Sequence, residues 1–189
     1  IKNILKIQFY LSIFLIIIIS LINIFYLFNL YKKEKYSNEI LNTYNITKLY
    51  SNIQFDINSD SDVIGIIEIP TINIYYPIFS GCTEELLKIS PCRLYGPLPG
   101  KNGNLCIAGH NYDNNKFFSK IPALNINDEI ILYNSSNKKF SYFIFDIYEV
   151  KYDDLSPIYS YDEKKKQLTL ITCNNINNKR IIIKALCSD

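Results

Sequence analysis

Residues 7–31 contain no charged side chain and are mostly Ile, Leu and Phe. A helix over those 25 residues would reach about 37 Å at roughly 1.5 Å per residue, longer than a hydrocarbon core of about 30 Å. Tyr10, Tyr26 and Tyr31 fall toward the ends of the run, where interfacial aromatics belong. A cleaved signal peptide fits less well. Its apolar region spans about 7–15 residues, and an A-x-A-like cleavage site needs alanine; the first alanine here is Ala108. The segment is expected to be an uncleaved transmembrane helix, with residues 1–31 as the anchor. Lysines flank both ends (Lys2 and Lys6; Lys32, Lys33 and Lys35), so the positive-inside rule alone leaves the orientation open.

Residues 32–60 are polar with scattered apolar positions and read as a juxtamembrane helix or stalk, ending in a turn-rich stretch of Asn, Ser and Asp. From Val63 onward short strand-like runs alternate with turn residues. Candidate strands cover 63–69, 74–78, 105–108, 129–134, 140–150, 167–172 and 180–186. Residues 83–89 read as one short helix, with Thr83 as its N-cap and Glu84 and Glu85 in the first turn. Strands this short and evenly spaced predict an all-β domain over 61–189, a closed or nearly closed barrel with one or two short helices.

The charge balance narrows the function. Twenty basic and 18 acidic residues are spread along the chain for a net charge of +2, so no basic stripe supports nucleic-acid binding. Five cysteines without a C-x-x-C pair, and a single histidine, leave no zinc-site spacing. Glu84, Glu85, Asp113 and Asp128 are the acidic residues open to a calcium site, but solvated surface charge is the simpler reading. No metal and no cofactor are expected.

The chemistry concentrates near the carboxyl terminus. Cys173 ends the strand Thr169-Leu170-Ile171-Thr172-Cys173, a polar six-residue loop follows, and Arg180 opens the next strand. Pairing as a hairpin sets Cys173 opposite Arg180, Ile171 opposite Ile182 and Thr169 opposite Lys184. Opposed residues share a face with Cβ atoms about 5 Å apart. A slip of one residue would part them. A free thiol with a pKa of about 8.5 is mostly protonated at neutral pH and needs a proton acceptor. His110, the only histidine, also follows a strand end. Cys82, Cys92, Cys106 and Cys187 read as structural thiols; Cys82 and Cys92 flank the short helix at a spacing open to a disulfide.

These residues carry a family resemblance. The Thr169–Cys173 pentapeptide resembles the sortase TLxTC signature, and Arg180 falls where the sortase arginine opens the following strand. Leu98-Pro99-Gly100, Gly103-Asn104-Leu105 and Ala108-Gly109-His110 resemble the segment around the sortase histidine. Gly65-Ile66-Ile67-Glu68-Ile69-Pro70, Pro77-Ile78, Phe117-Phe118 and Asp128-Glu129-Ile130-Ile131-Leu132 match in the same order. The resemblance implies an eight-stranded sortase-like β-barrel, anchored in the cell membrane by a single pass with its amino terminus cytoplasmic and its catalytic domain extracellular. It implies a cysteine transpeptidase that cleaves an LPxTG-like C-terminal sorting signal of secreted proteins and passes the acyl group to an amine of a peptidoglycan precursor. Cys173 would be the nucleophile, His110 the general acid/base and Arg180 the stabiliser of the oxyanion or substrate backbone, with Thr172, Ile171 and Ile182 binding substrate. Residues 151–166 hold no strong amphipathic helix and no Asp-Pro-aromatic lid precedes Val63, which favours a class A/D-like member over class B or C. Two alternatives stand beside this: an anchored cysteine endopeptidase that hydrolyses, and a non-catalytic binding module on the same barrel.

Overall fold

The computed structural model describes residues 2–49, 62–112, 115–159 and 161–188. The boundary at 60/61, the turn-rich residues 58–61 and Asp113 lie outside them. The apolar run forms one helix, α1 (Lys2–Leu49), which continues without a break past residue 31 into the polar segment. Its stretch Phe9–Asn42 is long and apolar enough to cross a membrane. Its described side chains between Phe9 and Phe28 are almost all exposed, which for Ile, Leu and Phe calls for an apolar surrounding. Farther along α1 the barrel takes over as partner: Glu34 meets Lys116, and Ser37 is buried.

Beyond α1 the chain closes into a barrel, as the strand spacing predicts, with the eight strands that the family resemblance implies. The strands are β1 (Val63–Ile69), β2 (Ile74–Phe79), β3 (Cys92–Tyr95), β4 (Gly103–Ala108), β5 (Glu129–Asn134), β6 (Lys139–Lys151), β7 (Lys166–Asn174) and β8 (Lys179–Cys187). Their order around the barrel is β1-β2-β3-β4-β7-β8-β6-β5, with β5 returning to β1. The β2–β3 and β4–β7 pairs are parallel and the others antiparallel. Among the described residues, closure leaves no open sheet edge to pair with another chain. Among the described residues two short α-helices decorate the barrel: α2 (Glu84–Leu87) and α3 (Ser156–Tyr159). The Thr83 hydroxyl caps α2 by accepting from the Leu86 N–H at 3.3 Å, as expected of an N-cap threonine.

Alternation along each strand sends one set of side chains into the barrel and the other outward. Leu105 and Ile107 of β4, Leu168 and Leu170 of β7, and Ile181, Ile183 and Ala185 of β8 join the central core. The intervening residues Cys106, Ile171 and Ile182 face out, yet they are buried in a second cluster under Ile158 of α3. That outer face carries the candidate site.

Candidate active site

The β7–β8 hairpin adopts the expected register: Cys173 opposite Arg180, Ile171 opposite Ile182, Thr169 opposite Lys184. Against the expected strands 167–172 and 180–186, β7 runs two residues farther at this end and β8 one, so the connection is residues 175–178 rather than a six-residue loop. Side chains set the turn. Asn174 Oδ1 accepts from the Ile176 N–H, Asn177 Oδ1 accepts from the Lys179 N–H, and Asn178 takes a left-handed φ of 54°, a conformation asparagine tolerates better than most residues. The amides of Asn174 and Asn177 both donate to the Glu149 carboxylate on β6. Those hydrogen bonds hold the Glu149 carboxyl below its usual range.

The third residue arrives from the parallel ladder. β4 and β7 pair from Gly103↔Lys166 to Ala108↔Ile171, and the Gly109 N–H extends the ladder by donating to the Ile171 carbonyl at 3.1 Å. The Thr172 hydroxyl donates to the Gly109 carbonyl at 2.8 Å. Continuing this register sets His110 beside Cys173. Since Cys106 faces outward, Ala108 and His110 have the same parity and share the face of Ile171 and Cys173. The loop after His110 is fastened to the Cys173 rim: Asn111 Nδ2 donates to the Cys173 carbonyl at 2.7 Å, and Asn175 Nδ2 donates to the Asn111 carbonyl at 2.9 Å. Gly109 leaves no room for a side chain, as a Cβ there would lie 2.7 Å from the Phe118 ring.

Cys173 is exposed at the end of its strand. His110 is half-buried, its ring 4.8 Å from that of Tyr112, and its Nε2 lies 3.9 Å from Glu84 Oε1 without a hydrogen-bond partner. Burial pushes the imidazole pKa below its ordinary value; the Glu84 carboxylate opposes this and the Lys88 ammonium reinforces it. The Arg180 guanidinium lies over the Tyr152 ring, 4.6 Å from its centroid. The backbone thus brings the three residues to one rim, while among the described residues no hydrogen bond joins the thiol, imidazole and guanidinium. The remaining predicted residues lie just below: Thr172 is 2% exposed, Ile171 6% and Ile182 1%.

Sequence reasoning missed the residues that support this rim. Asn111, next to Gly109-His110, and Tyr152, under Arg180, gave no pattern of their own. A buried polar network also escaped it. Asn104 Nδ2 donates to the carbonyls of Ile158 at 3.0 Å and Pro157 at 3.2 Å, while its Oδ1 accepts from Thr169 Oγ1 at 2.6 Å. Lys184 Nζ donates to the Pro157 carbonyl as well. These bonds hold α3 over Ile171 and Ile182. Of the four acidic residues considered for calcium, Glu84 stands beside His110 and Asp128 closes a turn by accepting from the Asn125 N–H.

The family described as the sortase domain matches residues 67–187, a stretch containing Cys173, His110 and Arg180. This chain belongs to the sortase family. It is 34% identical over 125 residues to sortase A of Bacillus anthracis, covering 64% of this chain and 58% of that protein. With sortase A of Staphylococcus aureus (strain NCTC 8325 / PS 47) the identity is 31% over 122 residues, covering 63% and 59%. The matches therefore span under two thirds of the length of these sortases. Among solved structures, a sortase D5 transpeptidase of Clostridium perfringens superposes with a TM-score of 0.66 at 28% identity, covering 84% of this chain and 99% of that one. Clostridium perfringens sortase C, solved with the C-terminal cell wall sorting motif, gives 0.62 at 28%, covering 78% and 85%. The sortase barrel is thus reproduced by sequence and by fold.

Proposed function

We propose that this chain is a membrane-anchored cysteine transpeptidase that cleaves an LPxTG-like C-terminal sorting signal of secreted proteins and transfers the acyl group to an amine of a peptidoglycan precursor. The observation that carries the reading is the Cys173–Arg180 cross-strand pair at the rim of β7 and β8, with His110 two residues past the end of the adjacent strand β4. Ile171 and Ile182, expected to bind substrate, are instead buried on that face under Ile158 of α3 and support the rim from beneath, and Thr172 ties β7 to the segment leading to His110.

The chemistry follows from the groups. Burial favours the neutral imidazole of His110, which takes the Cys173 proton as the sulfur adds to the scissile carbonyl carbon. The oxyanion that forms is stabilised by Arg180, whose permanent charge needs no proton bookkeeping. The C–N bond breaks, His110 returns the proton to the leaving amine, and a thioester remains on Cys173. An acceptor amine then adds to the thioester and gives up a proton to His110, and the thiol is released. The cycle is closed by three side chains, so we propose that it runs without a cofactor. Short α3, four residues long, fits an A/D-like member better than one with a long helix between β6 and β7.

In the orientation we propose, the amino terminus of α1 is cytoplasmic and the barrel extracellular, where both sorting signals and wall precursors are met. The detergent-solubilised chain, incubated with LPxTG-like peptides with and without an oligoglycine or diaminopimelate-type amine, tests the function by mass spectrometry. Acceptor-linked product that disappears in Cys173→Ala is expected. A free carboxylate product despite excess amine would make the protein a hydrolase. An inert Cys173 on an intact barrel would favour a binding module. Labelling of Cys173 by a membrane-impermeant maleimide in intact cells checks the orientation; labelling only after lysis would reverse it.

A further inference from the structure

Two cysteines that the candidate chemistry does not use, Cys82 just before α2 and Cys92 at the start of β3, lie on neighbouring stretches of the barrel wall. Cys82 lies in the turn three residues after Phe79, and Phe79 pairs in parallel with Cys92. The Phe79 N–H donates to the Pro91 carbonyl at 3.1 Å, and Ser90 Oγ donates to the Pro77 carbonyl at 2.6 Å, so both ends of the 82–92 segment are held side by side. The Cys92 thiol donates to the Ser90 carbonyl at 3.4 Å, Cys82 lies beside Arg93 at the next position along β3, and neither sulfur is in a disulfide. Cys92 is fully buried, whereas Cys82 is partly exposed and opens on a surface hollow shared with Ser80, Arg93 and Tyr95.

We propose that Cys82 and Cys92 form an intrachain disulfide that fastens α2 to the barrel. The partners are unequal, which sets the order of events. Cys82 is partly exposed and Cys92 fully buried, so a small disulfide in solution meets Cys82 first. The Cys82 thiolate attacks one sulfur of a small disulfide, RSSR, breaking the S–S bond and releasing one RSH after protonation by water. Cys92 then loses its proton to solvent, attacks the Cys82 sulfur of the mixed disulfide and releases the second RSH. Two protein thiols are oxidised and one RSSR is reduced to two thiols. The assignment to a permanent bond rests on the proposed extracellular location, where disulfides persist.

The bond bears on the candidate site through position. Cys82 precedes Thr83, the cap of α2, and α2 begins with Glu84, whose carboxylate lies 3.9 Å from His110 Nε2. Cys92 pairs with Ala108, two residues before His110. A covalent tie between them fixes the acidic wall of the histidine to β3, the strand paired with the one that leads to His110.

Trypsin separates the two cysteines, because Lys88 lies between them, and yields peptides 49–88 and 89–93. The full chain in detergent is equilibrated with oxidised glutathione, alkylated, digested and mapped by mass spectrometry. The expected result is a linked 49–88/89–93 pair that disappears on reduction and is absent in Cys82→Ser. Closing a loop of this size predicts a thermal midpoint about 5–10 °C higher in the oxidised chain than in the reduced one. Two alkylated peptides after oxidation, or Cys82 stranded as a glutathione adduct, would overturn the proposal; so would equal midpoints in the two redox states. None of these readouts depends on peptide cleavage, so failure here is separable from failure of the transpeptidase reading.

Discussion

Asn104 is the residue whose loss the structure values most clearly. It is fully buried, and its amide reaches two main-chain carbonyls of α3 while its carbonyl oxygen holds the Thr169 hydroxyl. Asn104→Ala removes all of these bonds at once. The Pro157 carbonyl keeps the Lys184 ammonium as donor, so its loss is partial. The Ile158 carbonyl and the Thr169 hydroxyl lose the partners seen here, at about 1–3 kcal/mol for each buried polar group left unsatisfied. With the small void added, the expected cost is about 3–5 kcal/mol. For a chain of this length that is a fall of roughly 8–15 °C in the thermal midpoint. Thr169→Val should cost about 1–2 kcal/mol by stranding the Asn104 oxygen. In the double variant the hydroxyl is gone and no longer stranded, so the two losses should sum to less than additive by about 1–2 kcal/mol. Urea unfolding in detergent, followed by tyrosine fluorescence because the chain has no Trp, reads the global part. Hydrogen exchange at α3 reads any local release. A loss below about 1 kcal/mol with α3 still protected, or strict additivity in the cycle, would refute the view that Asn104 pins α3.

Three further outcomes are expected. Arg180→Lys keeps a charge but loses the planar fork over Tyr152, and kcat/KM with a cleaved peptide should fall about 10²-fold with little change in the thermal midpoint; unchanged turnover would remove Arg180 from the chemistry. His110 has a folded pKa depressed by burial, so its contribution to stability is fully present above the unfolded value of about 6.5 and is lost as pH falls below it. The midpoint should therefore decline with acidification through that region, and His110→Gln should flatten the decline. In Gly109→Ala the new Cβ would meet the Phe118 ring, for an expected loss of about 1–3 kcal/mol; partial recovery of the midpoint on adding Phe118→Leu would confirm the clash.

Legibility followed the range of the interaction. Strands β1, β5 and β6 show in the sequence as β-branched and aromatic runs bounded by turn residues, and the structure places them within a residue or so of the expected bounds. β3 was missed. Its four residues, Cys-Arg-Leu-Tyr, are too few to show alternation, and one parallel bridge joins it to β2. The helix α3 was missed because a four-residue turn has no periodicity, and it is held by Asn104 and Lys184 rather than by propensity. Those partners are 54 and 27 residues away in the chain. The amino-terminal helix was expected as an anchor followed by a helix or stalk, and it is one helix to Leu49.

The candidate site divides along the same line. Cys173 and Arg180 are joined by a short hairpin, so the apolar pattern of two adjacent strands fixes their register and with it their common face. His110 lies two residues past the end of β4, which meets β7 through a parallel pairing that two more strands and their loops separate in sequence. No local pattern specifies that pairing; what placed His110 before the structure was the order of its flanking motifs. Parity then does the rest. Leu105 and Ile107 must enter the core, so Cys106, Ala108 and His110 must leave it, and β7 obeys the same constraint with Leu168 and Leu170 inside and Ile171 and Cys173 outside. A one-residue slip in either ladder would turn the thiol or the imidazole away from its partner and expose core isoleucines and leucines. The same apolar residues that stabilise the barrel therefore keep Cys173, His110 and Arg180 on one rim.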